Sequence, residues 1–498
     1  MKRLIIAFMM LCAACMASAA NYLTFTAEED SSTFGIVNKT NSPDVQYSID
    51  GGTSWIALTG GEMVMLAHKG DKALLRGDNP EGFSKGDNKY SSFTMTGKIA
   101  VSGSVMSLID GTGETLVVPA DYCFYSLFKG CTSLTQAPEL PATRLADGCY
   151  YGMFTDCTSL TQAPELPATT LASSCYDGMF SCCTSLTQAP ELPATTLAYS
   201  CYGRMFEVCT SLTQAPELPA TTLVRECYSF MFQGCTSLTQ APELPATTLV
   251  GGCYSFMFGG CSSLTQAPEL PATNLAGHCY YEMFGRCTSL TQAPELPATT
   301  LVGGCYSFMF WECTSLTQAP ELPATTLVGS CYEGMFKGCA SLTQAPELPA
   351  TTLNSGCYSE MFLGCTSLSE IKVPFDDWNR GDCTAKWVID VAPTGTFICP
   401  KALALEYGED RIPEGWTVKY IDEGGSGVSS ALADNITVWT DDLTVHVCGA
   451  EGEVSLYDMS GRIVATSNSK DEERSLGVPA KGVYVVRTNN GTSDVLVR

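Results

Sequence analysis

The sequence predicts a stacked-repeat solenoid of short strands and short helices, flanked by an N-terminal β-domain and a C-terminal β-sandwich. Three observations carry this. Cys131, Cys157, Cys183, Cys209, Cys235, Cys261, Cys287, Cys313, Cys339 and Cys365 stand 26 residues apart. A second series with the same period runs beside it: Cys123, Cys149, Cys175, Cys201, Cys227, Cys253, Cys279, Cys305, Cys331 and Cys357. Both flanks are rich in Thr, Val, Ser and Gly with turn signals. Twenty of the 26 cysteines of this 498-residue chain therefore belong to one repeat pattern of ten units.

One unit, Cys157 to Cys182, reads CTSLTQAPELPATTLASSCYDGMFSC. From Cys149 to Cys157 the invariant Cys, Tyr, Met, Phe and Cys fall at relative positions 0, 1, 4, 5 and 8. At about 100° per residue they occupy one arc of a helical wheel, which predicts a two-turn amphipathic helix. Pro164 and Pro167 exclude a helix from the next part. A short strand near Leu160–Ala163 and a second extended piece near Thr169–Ala172 are expected, with Leu160, Ala163, Leu166 and Leu171 turned inward. No unit has enough apolar residues to fold alone, so the core must form by stacking.

The unit resembles the BspA-like leucine-rich repeats of bacterial surface proteins. Met153, Phe154, Cys157, Thr158, Ser159 and Leu160, followed by the proline-bounded strand, carry the resemblance over residues 119–374. The 26-residue length and the Pro-Glu-Leu-Pro-Ala segment depart from the usual unit and leave the path between strand and helix open. The resemblance implies a surface protein that binds host matrix proteins or other bacteria.

The remaining segments follow in order. Lys2 and Arg3, the apolar run Leu4 to Cys15 and the small residues Ala17-Ser18-Ala19 make 1–19 a signal peptide. Cys12, where a lipobox prefers Leu, argues against lipidation at Cys15. Residues 20–118 form a β-domain that caps the first repeat. Within it Ser48, Asp50, Gly52 and Trp55 resemble an Asp-box hairpin, with Ser54 for the usual Thr, a structural motif that implies no catalysis. Residues 375–422, with Trp378, Trp387, Phe397 and Trp416, read as a C-terminal cap. Cys383 and Cys399 fall outside both series and are the pair best suited to a disulfide. A Gly/Ser linker, 423–433, leads to residues 434–498. Val454-Ser455-Leu456-Tyr457-Asp458-Met459-Ser460-Gly461-Arg462, then Lys481-Gly482-Val483-Tyr484-Val485-Val486-Arg487, and the final Val495-Leu496-Val497-Arg498 resemble the sorting domain of type IX secretion. That resemblance implies the type IX machinery as a partner and passage across the outer membrane. An ordinary small β-sandwich is the alternative.

Cysteines eight residues apart on one helix lie about 12 Å apart, beyond disulfide reach. Helix-like spacing between repeats, about 8–10 Å, also forbids a bridge. Reduced, buried thiols are expected, with vertical disulfides between repeats as the alternative. The three histidines, His68, His278 and His446, match no metal or triad pattern, and no cofactor is expected. A net charge of −25 excludes nucleic acid as a partner, and no apolar stretch predicts a transmembrane segment.

Two surfaces are candidates for binding. Glu139, Glu165, Glu191, Glu217, Glu243, Glu269, Glu295, Glu321 and Glu347 recur at one position and predict an acidic stripe. It is either a solvated edge or an attractor of cations or a basic partner. The variable outward positions, Arg204, Arg225, Arg286, Trp311 and Lys337 among them, are the second candidate, and drift at solvent positions explains them equally well. The leading expectation is a secreted or surface protein-binding adhesin. A spacer without a specific ligand is the alternative from another class. Repeated copies of the same residues offer no converging set of unlike groups, so no enzymatic activity is expected.

Overall fold

Alternating buried and half-buried side chains make Leu23–Ala27 the first strand, β1, and the same alternation recurs through the N-terminal region. The computed structural model describes residues 20–378 and 382–421. Beyond these it describes 437–441, 443–450, 452–458, 462–469, 473–480, 482–488 and 491–497. Residues 1–19, expected to be a signal peptide, and 423–433, expected to be a linker, lie outside the described residues. The chain divides after Tyr420 into two units.

The first unit opens with β1, β2 (Ser32–Lys39), β3 (Gln46–Ser48), β4 (Ile56–Ala57), β5 (Met63–Leu66), β6 (Lys72–Arg76), β7 (Tyr90–Thr96), β8 (Ile99–Ser102) and a single four-residue helix, α1 (Ser107–Asp110). One sheet has the order β4-β3-β6-β1-β8 and continues into β9 (Leu134–Gln136) of the first repeat, the other the order β5-β2-β7. Phe25 of β1 meets Phe34 of β2 at 4.8 Å and Phe93 of β7 at 5.1 Å, which joins the two sheets. β8 and β9 pair in parallel, so one sheet runs from the β-strands into the repeats. A single core extends from Leu23 to Trp416.

The two-turn helix expected in each repeat does not form. Its place is taken by a ribbon of consecutive turns. Gly148, Gly152 and Asp156 are left-handed, with φ of 59°, 57° and 64°, and this four-residue spacing recurs in the repeats that follow. Backbone N–H groups then alternate between two destinations. Tyr151, Met153, Thr155 and Cys157 donate within the repeat, to Gly148, Tyr150, Gly152 and Phe154, at 3.0–3.1 Å. Gly148, Tyr150, Gly152, Phe154 and Asp156 donate to the next repeat, to Ser173, Cys175, Asp177, Met179 and Ser181, at 2.8–3.0 Å. A helix would close all these bonds internally. The ribbon uses half of them to join neighbours, and that linkage, repeated at every boundary, offsets a cost of about 1 kcal/mol for each left-handed non-glycine residue.

The inward residues stack in columns. Phe128, Phe154, Phe180 and Phe206 lie with ring centroids 5.5, 5.5 and 5.7 Å apart, and Tyr150, Tyr176 and Tyr202 follow at 5.9 Å. The flanks prolong the columns. Phe93 stacks on Phe128 at 5.3 Å, Phe83 on Phe124 at 6.3 Å, and Trp387 closes the other end against Phe362 at 6.1 Å. The remaining repeat backbone is joined by isolated parallel bridges such as Gln162 to Gln188 and Thr170 to Thr196, where the two extended pieces were expected.

Beyond the last repeat, β10 (Glu370–Lys372), β11 (Thr396–Cys399) and β12 (Thr417–Tyr420) form a parallel sheet. Cys383 does not lie outside the cysteine series. It stands 26 residues after Cys357, and its carbonyl accepts the N–H of Tyr358 at 2.8 Å, as Cys175 does for Tyr150. Lys386 and Asp390 are left-handed in the same four-residue spacing. Residues 383–390 are therefore an eleventh turn ribbon. Cys383 and Cys399 do not bridge, because Cys383 is held in the column.

The second unit contains β13 (Thr437–Asp441), β14 (Thr444–Cys448), β15 (Val454–Asp458), β16 (Ile463–Ser467), β17 (Glu473–Gly477), β18 (Gly482–Thr488) and β19 (Gly491–Val497). They form sheets of order β13-β14-β17 and β16-β15-β18-β19. Val445, Val447, Val454, Leu456, Leu476 and Val486 form its core. Met459, Ser460, Gly461, Lys481 and Arg498, on which the expected sorting motif partly rests, lie outside the described residues.

Candidate functional site

Within each repeat the segment after the glutamine bridge is extended, because two prolines fix its backbone and remove two donors. Its side chains alternate: Glu165 points out, Leu166 in, Pro167 out and Ala168 in. Leu166 and Ala168 are 3% and 1% exposed and anchor the segment to the core. The alternation places every member of the acidic series, from Glu139 to Glu347, at an exposed position.

Shallow grooves lie between successive Pro-Glu-Leu-Pro segments. One of about 500 Å³ is walled by Pro138, Glu139, Pro141, Pro164, Glu165 and Pro167. Two more, of about 320 and 360 Å³, repeat the arrangement around Glu217, Glu243 and Glu269. At the ends of the column the chain supplies its own donors. The Asn21 side-chain amide donates to Glu139 at 2.7 Å, and Lys372 Nζ lies 3.3 Å from Glu347. Among the described residues no group of three His, Cys, Asp or Glu side chains could hold a metal ion.

The variable face is organised differently. Arg204 lies 4.0 Å from Asp177 and covers the ring of Phe230 at 4.7 Å. Arg286 pairs with Glu312 at 3.0 Å and covers Trp311 at 4.2 Å. Lys337 pairs with Glu360 at 2.7 Å and lies 5.9 Å from the Phe308 ring centre. Arg225 pairs with its neighbour Glu226 at 3.0 Å. Phe230 stacks on Phe256 at 4.3 Å. These side chains mostly contact adjacent repeats, a role that sequence position alone did not reveal.

Asp177 was not singled out from the sequence. It is 4% exposed, accepts a 2.8 Å hydrogen bond from Ser200, and burial raises its carboxyl to about 6. Gly203 opposite leaves the space, since a Cβ there would lie 3.1 Å from Asp177 Oδ2. No invariant position marks it, because the equivalent residues in other repeats are Tyr, Gly, Ser or, once, Glu333.

The cysteine columns are buried thiols. Burial pushes Cys227, Cys235 and Cys287 up to about 12. Such thiols are poor nucleophiles and poor metal ligands. The Asp-box-like hairpin is likewise structural. Asp50 accepts from Ser48 and Ser54 side chains at 2.6 and 2.5 Å, and these bonds hold its carboxyl well below the usual range. Trp55 is packed between Tyr22, at 5.0 Å, and Arg76, at 4.1 Å.

Comparison with known families matches residues 279–377 to the BspA type leucine rich repeat region, in six copies. No curated protein matches the chain. Among the described residues no helix is long and apolar enough to cross a membrane.

Proposed function

We propose that this is a secreted or cell-surface protein-binding solenoid that acts as an adhesin for host matrix or other cells. The observation that carries the reading is the column of exposed glutamates and proline-walled grooves, repeated along the stack. A long surface of recurring sites suits a large partner better than a small molecule, for which one enclosed pocket is the usual solution. The match over residues 279–377 supports it.

The accompanying organisation is part of the same proposal: signal peptide 1–19, β-cap 20–118, solenoid 119–374, C-terminal cap 375–422, linker 423–433 and type IX sorting domain 434–498. Export rests on the basic, apolar and small-residue order of the first 19 residues, and surface delivery on the motifs from Val454 onward.

A second reading, a rod that spaces other components, is favoured by one observation. Arg204, Arg286 and Lys337 engage neighbouring repeats. Binding of the purified chain to immobilised matrix proteins and whole bacterial cells tests both, with internal repeats deleted in steps. Saturable binding lost with particular repeats supports the adhesin. Absence of binding to every target, with function in cells scaling with repeat number, supports the spacer.

A further inference from the structure

The two ends of the glutamate column show what its middle is built to accept. At the first repeat Ser104, just past the end of β8, makes a single parallel bridge to Glu139 of the Pro-Glu-Leu-Pro segment. The Glu139 N–H donates to Gly103 at 2.9 Å, and the Val105 N–H donates to Glu139 at 3.2 Å. The Asn21 amide caps the carboxylate of the same glutamate. At the last repeat an ammonium group, Lys372 Nζ, sits at Glu347. Backbone amide and carbonyl groups and a basic side chain are thus both seated on members of this column by the chain itself.

Between those ends the equivalent groups have no such neighbours. Among the described residues no backbone hydrogen bond joins one inner Pro-Glu-Leu-Pro segment to the next. The stretch from Thr161 to Leu171 and its counterparts in the inner repeats contain no lysine or arginine. Proline rings wall the grooves and offer apolar surface to long aliphatic stems.

Resting on the protein-binding reading above, we propose that the grooves from Glu165 to Glu321 take an extended, lysine- or arginine-rich segment of a partner protein. Its cationic heads pair with successive glutamates, its side-chain stems lie against the prolines, and its main chain meets the unpaired amides of the groove. The net charge of −25 steers a cationic segment toward the chain. A bare divalent cation fits poorly, because no three ligating side chains gather among the described residues.

The test uses the full chain and a fluorescent lysine homopeptide of about twenty residues, long enough to span several repeats. A column variant carries Glu217→Gln, Glu243→Gln and Glu269→Gln. A control with the same net charge carries Glu28→Gln, Glu81→Gln and Glu414→Gln, all exposed and none of them in the glutamate column. Unchanged thermal melts establish that both variants fold. The expected result is at least about tenfold weaker binding by the column variant, less than about twofold by the control, and a shallower salt dependence for the former. Equal weakening of both variants, or no binding by the wild-type chain, overturns the proposal. The same variants are then tested on the matrix and cell panel. A panel protein bound equally by the wild-type chain and the column variant overturns this inference and leaves the protein-binding reading standing. Column-dependent peptide binding with no panel binding does the reverse.

Discussion

The thiol of Cys183 donates a hydrogen bond to the carbonyl of Phe154, one repeat earlier, at 3.1 Å. That carbonyl also accepts the N–H of Cys157 at 3.0 Å. The relationship recurs for Cys209 with Phe180 and Cys235 with Phe206, and Cys131 extends it to Phe93 of β7. The column is a hydrogen-bond ladder as well as an apolar filling. Cys183→Ala removes the donor and leaves a small void, and should cost about 1–2 kcal/mol. Urea unfolding, with hydrogen exchange of the adjacent ribbon amides, checks it. An unchanged midpoint would show that the thiol only fills space.

Alkylation should separate the cysteines by burial. With Cys235 raised to about 12, only about one thiol in ten thousand is ionised at pH 8. Iodoacetamide should therefore label the half-buried Cys182 and Cys448 first, and the column thiols only on unfolding. Peptide mapping of the labelled protein gives the order directly.

Asp177 makes stability depend on pH in an unusual direction for a carboxylate. Its folded value, about 6, lies above the ordinary 3.8. Its contribution is full when the group is protonated, below about pH 4, and is lost as pH rises through 6. Asp177→Asn should therefore raise stability at pH 8, on the order of 2 kcal/mol, with the gain vanishing near pH 4. Melting curves of both proteins across that range provide the check. A gain that persists at pH 4 would exclude the titration as its source.

Gly334 and Gly178 are both left-handed, with φ of 58° and 61°, but their surroundings differ. A Cβ at Gly334 would come within 2.3 Å of the Phe308 ring, whereas nothing lies within 4 Å at Gly178. Gly178→Ala should cost about 1 kcal/mol from backbone strain alone. Gly334→Ala should cost about 1–3 kcal/mol more as Phe308 is pushed aside. Equal losses in thermal or urea unfolding would show that the ring moves freely.

Much of the stack was legible because inward residues repeat with chemical fidelity. Leu160, Leu166 and Leu171 are buried as expected, and Ala163 is half-buried. The exposed glutamate column followed from position alone. The helix was misread because positions 0, 1, 4, 5 and 8 fit a period of 3.6 and a period of 4 equally well over nine residues. The discriminating signal was Gly148, Gly152 and Gly178 on the outward side, where a helix disfavours glycine and a left-handed turn welcomes it. Cys383 reads as outside the series because Thr384, Ala385 and Lys386 replace the usual neighbours while the 26-residue spacing persists. The pairs made by Arg204, Arg286 and Lys337 were hidden, since each joins positions in adjacent repeats that no single unit contains.

The alternating ribbon bonds also govern how the chain responds to force. Every repeat boundary carries four or five such amide links to the next unit, over the same inward Phe, Tyr and Cys columns. A pull on the ends therefore meets a series of near-identical clasps. Each one released frees a unit of 26 residues, about 90 Å of extended chain. Tension along the stack would draw it out in near-equal increments, one repeat at a time.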